Sequence, residues 1–232
     1  MLNVNHEKLI SFSESPKCIL KKSKKELSTL LGKDFSMMKG YSQNNPHHCY
    51  DLLEHTLRTV ESIDCTGLSK DEIIELKIAA LYHDVGKPVV AFEKNGKTVF
   101  YNHAIESRRI AEKELENSGL EDNVINRILF FIEYHDSFIS FKCLDEIKDK
   151  NIKFIIPIQK KTVESKIVSI QNDCKGKGTY IPTKKDFVLL LRLCLADVES
   201  QSIDVFQNGN LIDSKKKKIK RFKTIKKYIE EL

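Results

Sequence analysis

The stretch Ala79-Ala80-Leu81-Tyr82-His83-Asp84-Val85-Gly86-Lys87-Pro88 decides how the rest of this chain is read. Ser69 and Glu72, three residues apart, form a capping-box pair that opens the helix leading to it. Ile73, Leu76, Ile78, Ala79 and Ala80 make that helix apolar over most of its circumference, which marks it as a core helix. Val85, Gly86 and Pro88 are placed to end it, since Gly is favoured just past a helix end and Pro cannot continue one. An imidazole and a carboxylate are therefore expected side by side in the last turn of a buried helix. Burying an ionised carboxylate costs on the order of several kcal/mol unless it is paired or coordinates a metal. A cation answers both residues at once. A capping Asp beside a core His is the ordinary reading of such a pair, and it loses ground because other apolar elements carry ligand-type residues too.

Before this stretch, residues 50–63 read as a helix with Leu53, Leu57 and Val60 on one stripe and His55 at its edge. After it, Asn95-Gly96 between two short apolar runs is the favoured two-residue hairpin turn. Asn102 comes next as the expected N-cap of a helix, with His103 in the first turn. The positive end of the helix dipole there favours the neutral ring that metal ligation requires. Over 121–135, Val124, Ile128, Phe131 and His135 share a stripe, so His135 is expected to face the core, and Asp136 makes a second His-Asp pair. Thr183 caps a helix over 184–200 in which Leu189, Leu190, Leu193, Cys194 and Asp197 lie on one face. A carboxylate in line with buried apolar residues needs a cation.

Other segments carry weaker signals. Gly40, Asn44, Asn45 and Pro46 mark a loop, in which His47 and His48 are expected to be exposed bystanders. Lys175-Gly176-Lys177-Gly178-Thr179 lacks phosphate-loop spacing and reads as a connector. Residues 215–232 alternate a basic, solvated face with Ile219, Phe222, Ile225 and Ile229; without interleaved aromatics an RNA-contacting role is the minority reading.

The chain has 232 residues, 41% hydrophobic and 31% charged, enough for a substantial core. Its net charge of +6 suits a polyanionic ligand without demanding one. No run approaches a membrane span, and the first residues lack a signal-peptide pattern. Six scattered cysteines without C-x-x-C spacing point to reduced thiols, so a cytoplasmic location is expected.

In chain order the candidates are His55, His83-Asp84, His103, His135-Asp136 and Asp197. This order resembles the HD-domain superfamily of metal-dependent phosphohydrolases, whose signature is His, then His-Asp, then a distant Asp. Tyr50-Asp51-Leu52-Leu53-Glu54-His55-Thr56-Leu57, the 79–88 stretch and Asn102-His103-Ala104-Ile105-Glu106-Ser107 are most similar to the HD domain attached to bacterial tRNA nucleotidyltransferases. Two departures mark the chain: no Gly-Ser turn with paired carboxylates of a nucleotidyl-transferring sheet is found, and Ala104 replaces the usual Glu. The resemblance therefore implies hydrolysis and not CCA addition.

It further implies an all-α HD-domain helical fold of seven or more helices, with a small β-hairpin after the His-Asp helix as its only sheet. Residues 1–40 would be an N-terminal extension, 41–205 the HD phosphohydrolase domain, and 206–232 a basic C-terminal helix packed on it. His55, His83, Asp84 and Asp197 would hold a divalent metal (Mn, Co, Ni, Fe or Mg), one or two ions per chain. Asp84, Lys87, His103, His135 and Asp136 would serve catalysis, His103 and His135 possessing the chemistry for a second metal; Lys87, Arg58 and His103 would hold substrate. The expected reaction is cleavage of a phosphomonoester or a (cyclic) phosphodiester in a nucleotide, another phosphorylated small molecule or an RNA end, with no membrane partner. The alternative is a non-catalytic nucleotide- or RNA-binding regulatory protein that keeps the fold.

Overall fold

The computed structural model describes residues 11–12, 14–44, 47–147, 155–201, 204–207 and 209–232. Three short helices, α1 (Lys17–Leu20), α2 (Lys24–Leu31) and α3 (Lys33–Met38), come first. Ile19, Leu27, Leu31, Phe35 and Met38 bury them in the same hydrophobic core as the rest of the chain. Next come α4 (Leu52–Glu61) and the central α5 (Lys70–Tyr82). The Ser69–Glu72 capping box forms as expected. Leu76, Ile78, Ala79, Ala80, Leu81 and Tyr82 are fully buried, which suits a helix packed between α4 and two later helices.

Beyond α5 the chain departs from the expected stop. His83 caps the helix, and Gly86 has an ordinary right-handed backbone, φ −78°. Pro88 sits in the first turn of a new short helix, α6 (Lys87–Val90), where its missing N–H is no loss. Gly86 is needed for a different reason. A Cβ there would lie 2.6 Å from the Ser107 backbone N and 2.8 Å from the His103 carbonyl O. The glycine lets the end of α5 press against the start of α7 (His103–Leu115), and Ser107 Oγ accepts from its N–H at 2.9 Å.

Between α6 and α7 lies the expected hairpin, β1 (Phe92–Lys94) antiparallel to β2 (Lys97–Val99), with Asn95 and Gly96 at φ 53° and 71°. It is not the only sheet. β3 (Phe141–Lys142) pairs in parallel with β4 (Ile156–Pro157), and β5 (Asp204–Gln207) pairs antiparallel with β6 (Asn210–Ser214). Part of the segment expected to be a basic C-terminal helix is thus a hairpin, and the helix, α11 (Lys215–Glu230), begins at Lys215. Strands of two to five residues are too short to show alternation, so periodicity gave no sign of them.

Three helices set the frame of the site: α5, α8 (Asp122–Tyr134) and α10 (Lys184–Glu199). Near their starts, Arg127 of α8 reaches Glu75 of α5 and Asp186 of α10, both at 2.7 Å. From their far ends the same three helices deliver His83-Asp84, His135-Asp136 and Asp197. The remaining long helix, α9 (Lys160–Gly176), packs on α11, and α11 packs along α10. All six cysteines are free thiols. Among the described residues no helix is long and apolar enough to cross a membrane.

Candidate metal centre

Four histidines and three aspartates converge at the ends of these helices. His55, read from sequence as a boundary residue, is fully buried, as is His83; Asp84 is 1% exposed. The two Asp84 oxygens face in different directions. Oδ2 lies 3.2 Å from His83 Nε2 and 3.4 Å from His55 Nε2. Oδ1 lies 3.3 Å from His103 Nε2 and 3.7 Å from His135 Nε2. Asp197 Oδ1 completes the first group, 3.0 Å from His55 Nε2. Asp136 completes the second, its Oδ2 3.1 Å from His103 Nε2 and its Oδ1 3.6 Å from His135 Nε2. Asp84 is shared by both groups.

The other ring nitrogen of each histidine is tied down. His83 Nδ1 donates to Ala80 O and His135 Nδ1 to Ile132 O, each at 2.7 Å. His103 Nδ1 donates to Phe100 O at 2.9 Å, and His55 Nδ1 to Ser200 Oγ at 3.0 Å. Ser200 Oγ spends its own proton on Asp197 O at 2.7 Å, so toward His55 it can only accept. A carbonyl likewise only accepts, so in a neutral ring the Nδ1 carries the proton and Nε2 keeps its lone pair. Bare Nε2 atoms then face carboxylate oxygens, and His103 Nε2 faces His135 Nε2 at 3.2 Å. Acceptors facing acceptors in a buried site repel unless a cation lies between them. His55 Nε2, His83 Nε2 and Asp84 Oδ1 also have no hydrogen-bond partner, whereas buried polar atoms ordinarily do. Three helix C-termini add their negative dipole ends. The donor set, imidazole and carboxylate in two overlapping groups, fits divalent transition metals.

Without a metal, protons fill that role. Burial opposes charge on His55, but Asp197 and Asp84 outweigh it and raise its pKa to about 9. Burial likewise opposes charge on His103, and Asp136 with Asp84 carries it to about 10. The neutral ring expected at this helix start from the dipole is therefore corrected for the metal-free protein: two adjacent carboxylates exceed the effect of one helix terminus. Asn102 is also not the side-chain cap expected. It sits at φ 61°, a left-handed conformation Asn tolerates, and turns the hairpin into α7 without capping it.

Lys87 Nζ is buried, 2.7 Å from Asp84 Oδ2 and 2.9 Å from Gln43 Oε1. Burial alone would depress its pKa, but Asp84 and Asp197 raise it, so it stays an ammonium. Arg58 is not brought to this cluster. Its guanidinium pairs with Glu54 at 2.7 Å and lies over the Tyr50 ring, with its side chain 45% exposed. Sequence reading missed His47 and His48. The His48 ring is 4.7 Å from that of His55, and both loop histidines line a cavity of about 270 Å³ that opens onto His135, Asp136 and Asp197. Nothing in the spacing of a loop built on Gly, Asn and Pro shows that it folds back onto a helix.

A family model, HD domain, matches residues 48–171, more than half of the chain. This chain belongs to the HD-domain family. No curated protein matched the sequence. The HD-domain match takes in His55, His83-Asp84, His103 and His135-Asp136 but stops before Asp197. Asp197 joins the HD residues through the packing of α10 on α4 and α5. HD domains form a superfamily of metal-dependent phosphohydrolases that bind divalent metals, and the His/Asp groups of this HD domain are candidate sites for them.

Proposed function

We propose that this protein hydrolyses a phosphate ester of a nucleotide or another phosphorylated small molecule, using two divalent metal ions. The observation that carries the reading is the divided Asp84 carboxylate, with two histidine Nε2 atoms facing each oxygen. His55, His83, Asp84 and Asp197 would hold one ion; His103, His135, Asp84 and Asp136 the other. Bound there, a divalent cation supplies Lewis acidity toward a phosphoryl oxygen and a water molecule.

The chain's own residues do the rest. Lys87 keeps a fixed positive charge beside Asp84, where it offsets charge gathering on a phosphoryl group. Asp136, whose side chain is 36% exposed, lies on the open side of the cluster and can orient the attacking water as a hydrogen-bond acceptor. Water adds to phosphorus, the bond to the leaving oxygen breaks, and the water proton ends on the released alcohol. Manganese, cobalt, nickel and iron suit this donor set, and magnesium, which prefers oxygen ligands, is the further metal to test. Similarity to the HD domain of tRNA nucleotidyltransferases favours nucleotides or RNA ends as the substrate class.

The test is a screen of nucleotides, cyclic nucleotides, p-nitrophenyl phosphate and bis(p-nitrophenyl) phosphate against each metal. Turnover should require metal and disappear with a chelator. His135→Ala should lower kcat by roughly 10²–10³-fold while His55, His83 and Asp197 still hold one ion. A purely structural His135 would instead cost on the order of 1–3 kcal/mol of stability and leave turnover per folded molecule intact. Tight nucleotide binding with no turnover in any metal would favour the non-catalytic regulatory reading.

A further inference from the structure

The cavity above the metal centre has a second charged wall, made by the C-terminal helix and the strands beside it. Lys142 of β3 and Lys218 and Arg221 of α11 line it, with Asp213 of β6 as the carboxylate among them. Sequence reading placed the basic residues of α11 on a solvated face, yet Lys218 and Arg221 are each only 6% exposed. Phe222, Ile225 and Ile229 fix this orientation by docking the helix.

The three cations are not equivalent. Arg221 is consumed within the fold: its Nε is 3.0 Å from both Glu146 oxygens, and Nη2 is 3.1 Å from Asp213 Oδ1. Lys142 has Asp213 at 3.6 Å. Lys218 has no carboxylate within ion-pair distance among the described residues. Its Nζ donates to Gln201 Oε1 at 2.8 Å and lies 3.3 Å from His47 Nδ1, both uncharged partners. Gln201 Nε2 in turn donates to Asp197, 3.2 Å from Oδ1. A buried ammonium thus looks into the cavity, joined to a candidate metal ligand through one amide. Burial holds the pKa of Lys218 and of Lys142 below the ordinary lysine value, and an arriving anion would reverse that. Asp213 and Asp197 offset this burial only from beyond ion-pair distance, and an anionic ligand in the cavity would add the direct counter-charge that Lys218 lacks.

We infer that Lys218, with Lys142 beside it, holds a second anionic group of the substrate, so that the preferred substrate is a small phosphate ester bearing another phosphate or a carboxylate. This rests on the phosphohydrolase reading and adds the substrate's charge pattern to it. Phe138, Ile139, Val198 and Phe222 supply the apolar lining that a base, a sugar face or a short carbon chain would contact. A volume of about 270 Å³ suits a group of nucleotide size or smaller.

The experiment compares pairs that differ in one anionic group, using metal-loaded enzyme. One pair is adenosine 5′-monophosphate and adenosine 3′,5′-bisphosphate; the other is glycerol 3-phosphate and 3-phosphoglycerate. The added group should raise kcat/KM roughly tenfold or more in one pair, and which pair responds separates phosphate from carboxylate. Lys218→Gln should collapse that ratio toward one by raising KM, and Lys142→Gln should move it the same way. The second variant serves if the first does not fold. A wild-type ratio of one or less in both pairs, or an equal loss on both members of a pair, would overturn the inference and leave the hydrolase reading standing. A separate measurement needs no turnover: calorimetry of the metal-free protein with inorganic phosphate should show one site, weakened about tenfold or more in Lys218→Gln. Absence of that site would overturn the inference even in an active enzyme. Phosphate binding without hydrolysis of any of the four esters would instead overturn the hydrolase reading.

Discussion

Asp84→Ala is expected to yield folded protein that retains neither metal nor turnover. Among the described residues no other carboxylate touches both halves of the cluster: one Asp84 oxygen faces His55 and His83, the other His103 and His135. Its removal would take a ligand from both proposed ions at once, so neither candidate group would remain intact. Turnover should fall by at least roughly 10³-fold, beyond the effect of deleting a single electrostatic contact. The fold should survive, because α4, α5, α8 and α10 are held by an apolar core and by Arg127 at the opposite end. Lys87 is left without its carboxylate, and breaking a buried pair costs on the order of 3–5 kcal/mol. Asp84→Asn separates this cost from the loss of metal, since an amide oxygen still accepts from Lys87 but carries no charge. Elemental analysis and thermal melts of both variants check the prediction. Metal retained at one equivalent in either variant would refute the shared-carboxylate arrangement.

Metal affinity should fall about tenfold for each pH unit below 9, because each ion displaces a proton from its group. His55 and His103, raised to about 9 and about 10, are protonated at neutral pH when no metal is present. Loading at pH 7.5 should therefore release close to one proton per ion, read by calorimetry in buffers of different ionisation enthalpy. The stability of the metal-free protein tracks the same groups with a definite sign. Their folded pKa values lie above the ordinary 6.5, so their contribution is fully present below about pH 6.5 and is lost as pH rises through 9 to 10. Metal-free protein should melt progressively lower over that range. Metal-loaded protein should hold its Tm there and lose it on acidification instead. A metal affinity that does not change between pH 6 and pH 8 would remove the basis of this prediction.

The helical face of each ligand was legible in the sequence because helix periodicity is a local property. Asp197 shares a stripe with Leu189, Leu190, Leu193 and Cys194, and His135 with Val124, Ile128 and Phe131, so burial of one residue implied burial of the others. The hairpin was legible for the same reason, from Asn95-Gly96 alone. Contacts made by loops and by the chain's far end were not. His48 reaches His55 through a turn whose path no repeat encodes. Lys218 and Arg221 are the instructive case, since a signal was present. They stand four and one residues before Phe222, on the stripe that continues to Ile225 and Ile229. Reading every lysine as solvated hid two basic residues that belong to the core side. Gly86 was recognised as significant for the wrong reason, since its value is the close approach of α7 and not a left-handed cap.

His83 and His135 do two jobs with one ring. Each is the residue that closes its helix, and each gives its Nδ1 proton to a carbonyl of the last turn, Ala80 O and Ile132 O, both at 2.7 Å. Such carbonyls have no partner within the helix and are the first to fray. The bond that selects the tautomer for metal ligation is therefore also a latch on the helix end. Whatever grips Nε2 tightens the latch, and whatever unwinds the last turn lets the ligand swing away. The order of the ends of α5 and α8 and the geometry of the candidate ligands thus rest on the same two hydrogen bonds.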